Sequence, residues 1–285
     1  MPAVNSSQTV SDALHTATTM LSRASTSPRL DAELLLEHVM GLSRTNFRAM
    51  PERELPAAAG WSFQQLVRRR LQGEPVAYIR GQQEFWSLLL EVTPAVLIPR
   101  PETELVVERA LTHVGKDVKG RFADLGTGSG AIALAIASER PLAHVMAVDT
   151  SKDALHVAIR NAARLQLANV TFTQGVWFAP LGDERVDVIV SNPPYVAADD
   201  PDLAADVRRF EPHIALIAGR TGMEALELIV AQSPQHLNSD GWLILEHGWK
   251  QAAVVRDRLV RYGFTHVRSH ADLAGHERVT EGRSG

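Results

Sequence analysis

Apolar residues change their spacing at about residue 85, and the change divides the chain into two parts of different architecture. In the first part they recur three and four positions apart, the period of a helix with one buried face. Leu30, Leu34, Leu35 and Val39 mark such a face on a helix that Gly41 would end, and Ser11 or Asp12 is placed to cap a helix before it. A further amphipathic stretch over 56–71, marked by Trp61, Leu66 and Leu71, closes at Gly73 ahead of Pro75. These elements predict a small helical bundle over residues 1–84. Two short apolar runs, 85–92 and 95–98, lie on either side of Thr93-Pro94 and predict a hairpin linker over 85–99.

From residue 100 onward short buried-type runs alternate with helical stretches. The runs 122–125, 144–149, 170–173, 186–191 and 242–246 read as strands, and 266–269 and 277–281 add two more near the C-terminus. Alternation of this kind predicts an α/β domain over 100–285, built on a mostly parallel sheet with both faces covered.

The sharpest local feature follows the 186–191 strand, where Asn192-Pro193-Pro194-Tyr195 stands at the strand end. Neither proline has an amide hydrogen, so the main chain there offers carbonyl oxygens only. The fixed proline φ holds the Pro193 carbonyl beside the Asn192 side-chain oxygen. Two acceptors facing one way suit the two hydrogens of a planar NH2 group, and Tyr195 adds a flat ring able to stack on it. Upstream, Asp124-Leu125-Gly126-Thr127-Gly128-Ser129-Gly130 closes one strand and opens a helix at Ala131. Its alternate glycines let main chain approach a ligand closely. Asp149, 19 positions after Gly130 and at the end of the next strand, is placed for the hydroxyls of a ribose. The segment Arg100 to Glu104 reads equally as the first turn of a helix, with Pro101 in it and Glu102 and Glu104 near its positive end, and as part of a ligand site. Glu211 and Glu246 read as structural carboxylates, and the scattered histidines lack metal-ligand spacing.

Composition narrows the partners. The 285 residues, 45% apolar and 22% charged, suffice for one large core plus a smaller domain and exclude disorder. The absence of cysteine excludes a disulfide framework, a thiolate metal site and a cysteine nucleophile. The first residues lack a basic segment followed by an apolar one, and no apolar run approaches the ~20 residues that span a bilayer. A cytoplasmic protein without membrane association is therefore expected. A net charge of -4 opposes duplex binding through phosphates, and only Arg68-Arg69-Arg70 forms a basic cluster.

With these features stand Pro75-Val76-Ala77-Tyr78-Ile79, Glu84-Phe85-Trp86, the run 97–104 from Leu97 through Pro99-Arg100-Pro101-Glu102-Thr103-Glu104, Arg209-Phe210-Glu211-Pro212, Leu245-Glu246-His247-Gly248-Trp249 and Glu277-Arg278-Val279. In this combination the chain resembles the peptide chain release factor N5-glutamine methyltransferases, the protein-glutamine methyltransferase family of HemK type. The resemblance implies a Rossmann-like class I S-adenosylmethionine-dependent methyltransferase domain with a seven-stranded sheet, preceded by a helical domain that helps recognise the release factor. It implies methyl transfer to the side-chain amide nitrogen of the glutamine in a Gly-Gly-Gln motif, in support of translation termination, with S-adenosylhomocysteine as product. A monomer without stable nucleic-acid binding and without a metal is expected. Asp124, Gly126, Thr127, Gly128, Ser129, Gly130, Asp149 and Trp177 fall on the family's cofactor positions. Asn192 falls on both the cofactor and the catalytic positions, and Pro193, Pro194 and Tyr195 complete the catalytic clamp.

One position departs from the pattern. Where the family commonly carries an acidic residue just before a Trp-Phe pair, this chain has Val176, so a side-chain acceptor for the adenine amino group is expected to be missing. Two other functions fit the same residues: methylation of adenine N6 in a nucleic acid, whose exocyclic NH2 suits the same acceptors, and a noncatalytic partner-docking protein with weakened cofactor binding.

Overall fold

In the computed structural model, which describes residues 8–285, the chain parts after Gly81 into two units. The first holds α1 (Val10–Leu21), α2 (Pro28–Met40), α3 (Arg44–Ala49), α4 (Ala57–Leu71) and α5 (Val76–Arg80). The cap of α1 is Thr9 rather than Ser11 or Asp12. Its hydroxyl accepts from the Asp12 amide at 3.1 Å while the Asp12 carboxylate accepts the Thr9 amide at 3.2 Å, so Asp12 serves as the reciprocal partner of a capping box. Gly41 ends α2 in the left-handed region, as expected.

The buried face of α2 is Ala32, Leu35 and Leu36, and Leu30 lies outside it. That face is rotated from the expected one because Asp31 and Glu33 also turn inward. Asp31 pairs with Arg70 at 2.7 Å, and Glu33 pairs with Arg29 at 2.7 Å and Arg44 at 2.8 Å. On α4 the inward positions are Phe63 and Val67, four apart, which leaves Trp61 65% exposed.

The second unit opens with β1 (Gln82–Phe85) and β2 (Leu88–Glu91), an antiparallel hairpin with Phe85 opposite Leu88. Its turn is Trp86-Ser87, with φ of 52° and 58°, the all-positive pattern of a tight hairpin turn. The expected hairpin about Thr93-Pro94 is thus overturned, and 92–99 forms no strand. Two side-chain acceptors hold this turn without help from glycine. The Trp86 amide donates to Glu104 at 2.8 Å and its indole N–H to Glu139 at 3.1 Å.

There follow α6 (Glu104–His113), β3 (Arg121–Leu125), α7 (Ala131–Glu139), β4 (His144–Asp149), α8 (Lys152–Leu165), β5 (Val170–Gln174) and β6 (Val186–Ser191). Then come β7 (Val196–Ala197), α9 (Ala205–Phe210), α10 (His213–Leu216), β8 (Ile217–Gly219), α11 (Glu224–His236), β9 (Leu237–Glu246), α12 (Ala252–Arg261), β10 (Thr265–Ala271) and β11 (Glu277–Arg283). Seven strands form one sheet in the order β10-β11-β9-β6-β3-β4-β5, with β11 antiparallel to both neighbours and the rest parallel. Successive residues of β6 face opposite ways. Val188 and Val190 enter a core cluster with α6 and α7, and Ile189 enters another with α11 and α12. Helix α7 is apolar on all sides and buried from Ala131 to Ala137, which a helix against the middle of a sheet requires. Among the described residues no helix is long and apolar enough to cross a membrane.

The chain leaves β3 for β4 on one side and returns with β6 on the other, so the strand order reverses at β3. Loops after strands that part in this way leave a crevice between them.

Candidate active site

That crevice is a cleft of about 350 Å³. The loop after β3 forms its floor. Gly126 and Thr127 both donate their amides to the Val148 carbonyl of β4, at 2.8 and 2.9 Å, which pins the loop to the neighbouring strand end. Gly128, at φ 57°, has nothing within 4 Å of where a Cβ would sit, so its main chain is open to a ligand and a side chain is excluded by conformation rather than crowding. Gly130 differs: a Cβ there would meet Leu134 at 3.0 Å and Ala158 at 3.2 Å, so this glycine permits the close packing of α7 and α8. Gly126, Thr127, Gly128 and Ser129 line the cleft, whereas Gly130 does not.

Asp124 is fully buried behind the loop. One oxygen accepts from the Thr127 hydroxyl at 2.6 Å and the Ala133 amide at 3.1 Å, tying the loop to the start of α7, and the other has no partner. Burial pushes this carboxyl up to about 7, and the charge of Asp149 adds to the shift. Asp149 stands on the cleft wall. Its two oxygens take the Gly128 and Ser151 amides at 2.8 Å each, and its carboxyl is also raised by burial. The Thr150 amide also bears on it, and a carboxylate has about four acceptor positions, so room remains for a ligand hydroxyl.

The corner after β6 is fixed from below by Ser191, whose hydroxyl donates to the Leu125 carbonyl at 2.6 Å. The Asn192 Nδ2 donates to the Thr103 hydroxyl oxygen at 3.2 Å. Its Oδ1 takes no hydrogen bond from the described residues, nor does the Pro193 carbonyl. Asn192 and Pro194 line the cleft, while Pro193 and Tyr195 stand behind them. The Tyr195 ring packs against the apolar cluster that also holds Trp177 and Met223, and its hydroxyl donates to Glu246 at 3.3 Å. Burial, together with the charge of Glu246, raises the phenol. Burial also pushes Glu246 up to about 7 against the opposing hydrogen bonds of Thr103 and Tyr195.

The facing wall is assembled from distant segments. Glu211, buried, accepts the Ile98 amide at 3.0 Å and pairs with Arg100, which brings Leu97 and Pro99 to the cleft together with Pro212 and Ile214. Val176 and Trp177 complete the rim, with Val176 60% exposed. Two cleft residues escaped the sequence reading. Glu224 accepts the Thr221 amide at 2.9 Å and keeps a buried oxygen, Oε2, without a partner. Thr103 sits inside the 97–104 run, which was the available signal, but its contact with Asn192 spans 89 positions.

Known proteins share both units. The PrmC N-terminal domain model matches residues 12–81 and the methyltransferase small domain model matches residues 103–210. The release factor glutamine methyltransferase of Salmonella typhimurium is 49% identical over 271 residues, covering 95% of this chain and 97% of that protein. The protein of the same description from Pseudomonas aeruginosa is 51% identical over 259 residues, 91% of this chain and 94% of that one. The one from Escherichia coli is 47% identical over 261 residues, 92% and 94% of the two chains. Among solved structures, a methyltransferase from Pyrococcus furiosus has a TM-score of 0.53 at 20% identity, covering 69% of this chain and 88% of that one. The 16S rRNA N2 G1207 methyltransferase of T. thermophilus, solved with AdoMet and guanosine, has a TM-score of 0.53 at 16% identity, covering 72% and 50%. These two share the fold alone. Likeness that runs through both units and nearly the whole length of the first group settles the kinship: the chain belongs to the release factor glutamine methyltransferase family.

Proposed function

We propose that this chain moves a methyl group from S-adenosylmethionine to the side-chain amide nitrogen, N5, of the glutamine in the Gly-Gly-Gln motif of peptide chain release factors. The observation that carries this reading is the uncommitted acceptor Asn192 Oδ1 on the cleft wall, at the end of β6 beside the open glycine loop, with the Pro193 carbonyl next to it in the chain.

The residues present fit the cofactor. Asp149 keeps room for a ribose hydroxyl after its amide bonds, Gly128 leaves main chain open, and Val176, Trp177 and Ile214 offer an apolar surface for a flat base. Asp124 holds the loop from behind rather than touching the ligand. When bound, the cofactor supplies an electrophilic methyl carbon on a sulfonium that departs as a neutral thioether.

An amide nitrogen is a weak nucleophile because its lone pair is delocalised into the carbonyl. The protein's contribution is therefore alignment and charge. Asn192 Oδ1 and the Pro193 carbonyl take the two amide hydrogens and turn the lone pair toward the methyl carbon. As the nitrogen–carbon bond forms and the carbon–sulfur bond breaks with its electron pair on sulfur, positive charge grows on nitrogen. The acceptor bonds strengthen with it. Alignment of the two reactants is worth roughly 7–11 kcal/mol in favourable cases. The methylated nitrogen, strongly acidic once it carries the charge, then gives one proton to water. Tyr195, behind the wall, acts by bracing Glu246 rather than by stacking on the amide. The helical unit serves to recognise the body of the release factor, and residues 100–285 carry out the transfer.

Methyl-labelled cofactor offered with a release factor, with its Gly-Gly-Ala variant and with adenine-containing nucleic acid tests the reading. Label is expected in the first alone. Label in the nucleic acid with the release factor spared would overturn it.

A further inference from the structure

The acceptor role of Asn192 depends on which end of its amide faces the cleft. Oxygen outward accepts from an NH2 group; nitrogen outward repels it. Nothing in the shape of a carboxamide distinguishes the two, so a partner on the inner side has to decide. That partner is Thr103, which is 4% exposed and lines the cleft beside Asn192. A hydroxyl carries one donor, and where it spends that donor fixes what it can do for the amide. The Thr103 hydroxyl is among the groups that hold the Glu246 carboxyl down, with Tyr195, but no aligned hydrogen bond joins the two and Glu246 Oε2 has no partner. Glu246 is itself 2% exposed, on β9, and is held on its other oxygen by Tyr195.

We propose that Glu246 and Thr103 are positioning residues that set the polarity of the Asn192 clamp through a directed chain of hydrogen bonds. The inference rests on the methyl transfer proposed above. With Glu246 ionised, Thr103 donates to the carboxylate, its oxygen accepts the Asn192 Nδ2–H, and Oδ1 faces the substrate. With Glu246 protonated, the carboxyl itself donates to the Thr103 oxygen, the threonine proton turns toward Asn192, and the amide is free to present nitrogen to the cleft. Neither residue touches the reacting atoms, and both act through Asn192.

The groups that bear on the charge of Glu246 are Arg278 on β11, which favours ionisation, and Glu102 in the turn before α6, which opposes it, with Tyr195 and Thr103 as hydrogen-bond donors. Burial brings its titration to about 7, so the chain of bonds reverses within the range where the enzyme can be assayed.

The test uses the full chain with Thr103→Val, Thr103→Ser and Glu246→Gln. Thr103→Val is expected to lower kcat about a hundredfold, the cost of a misdirected reacting group, with the dissociation constant for the methyl donor unchanged. Thr103→Ser is expected to restore kcat to within a small factor of the parent. In the parent chain kcat should fall as pH drops below about 7, and in Glu246→Gln that limb should vanish. The side-chain amide resonances of Asn192, followed by NMR without substrate, should titrate in the parent and stay fixed in Glu246→Gln. This last readout needs no methyl acceptor, so it separates failure of the bond chain from failure of the proposed function. If Thr103→Val does not fold, the serine variant and the resonance titration decide. Unaltered kcat in a folded Thr103→Val, a serine variant as slow as valine, or Asn192 resonances indifferent to pH in the parent would each overturn the assignment.

Discussion

Glu246 on β9 and Glu281 on β11 lie two rungs apart on one ladder, since Val279 pairs with Glu246 and Glu281 with Ile244, yet their surroundings are opposite. Glu281 is fully buried and fully met: His113 at 2.9 Å and Arg109 at 3.2 Å on one oxygen, Arg109 at 3.2 Å and Arg268 at 2.6 Å on the other. Burial pushes its carboxyl up, but these bonds outweigh burial and hold it well below the ordinary carboxylate range. Glu246 has one hydroxyl in line, a second out of line and one bare oxygen, so burial prevails and the group titrates near neutrality. The same side chain is a fastener where every lone pair is met and an adjustable group where one is not. The fastener lies at the antiparallel edge of the sheet, and the adjustable group lies beside the cleft.

The largest effect expected from breaking the contrast is on stability. Glu281→Gln leaves Arg109 and His113, both largely buried, and the exposed Arg268 around a neutral amide, and the loss of one partner of such a buried pair costs roughly 3–5 kcal/mol. Denaturant unfolding near pH 7 should record it. The pH dependences should also be opposite. Glu281 has a folded pKa below its ordinary value of 4.5, so its contribution is present above that value and lost as pH falls through the folded pKa. For Glu246 the folded pKa is raised, so its contribution is present below 4.5 and lost as pH rises toward 7. Relative to the parent, Glu281→Gln should therefore recover ground in acid and Glu246→Gln as pH rises toward neutrality. Slopes of the same sign would erase the distinction.

A second comparison, inside the cleft, is between the two residues proposed to carry ligand contacts, Asn192 and Asp149. Asn192→Ala removes an acceptor whose bond strengthens only as charge develops on nitrogen, so kcat is expected to fall by about 10²–10³ with little change in cofactor binding. Asp149→Ala removes an acceptor used equally before and during transfer, so the loss should appear chiefly in cofactor affinity. Calorimetric titration beside steady-state kinetics distinguishes them. Equal losses in both constants for Asn192→Ala would remove the clamp from the transition state.

These contrasts show where the sequence was legible. Strands β3, β4 and β6 were, because a strand buried on both faces writes an unbroken apolar run, and the glycine loop was, because left-handed φ at Gly126, Gly128 and Gly130 admits little else. The end of β6 at Asn192 was legible because two prolines without amide hydrogens cannot continue a buried strand. The turn at Trp86-Ser87 was not, since its positive φ values are supported by Glu104 and Glu139, which are remote in sequence. The early start of β9 at Leu237 was hidden for another reason: Leu237 pairs with Val186, but the ladder is irregular over 238–241 and resumes only where Trp242 meets Val188, so no paired apolar run marks that stretch. On α2 and α4 the outer positions Leu30 and Trp61 were misjudged, while Leu35, Val39, Leu66 and Leu71 pack toward the core as expected. Thr103 fell inside a segment that read equally as helix punctuation and as part of a ligand site, and Glu246 read as a structural acid, because their contacts with Asn192 and Tyr195 exist only once β6, β9 and the turn before α6 meet.

The smallest effect expected, and the one that sharpens the cleft most finely, is at Val176. This residue stands 60% exposed on the rim beside Trp177 and offers no side-chain acceptor to the amino edge of a base. Val176→Asp would supply one. A hydrogen bond to a charged group is worth about 1.5–3 kcal/mol, and the exposure of the site places the gain at the lower end, about tenfold in Kd for S-adenosylmethionine. Calorimetry on the purified variant reads it directly, and kcat should not rise with it, since the contact is made equally before and during transfer. An unchanged Kd has an equally definite meaning. The amino edge is then already met by another acceptor of the same cleft.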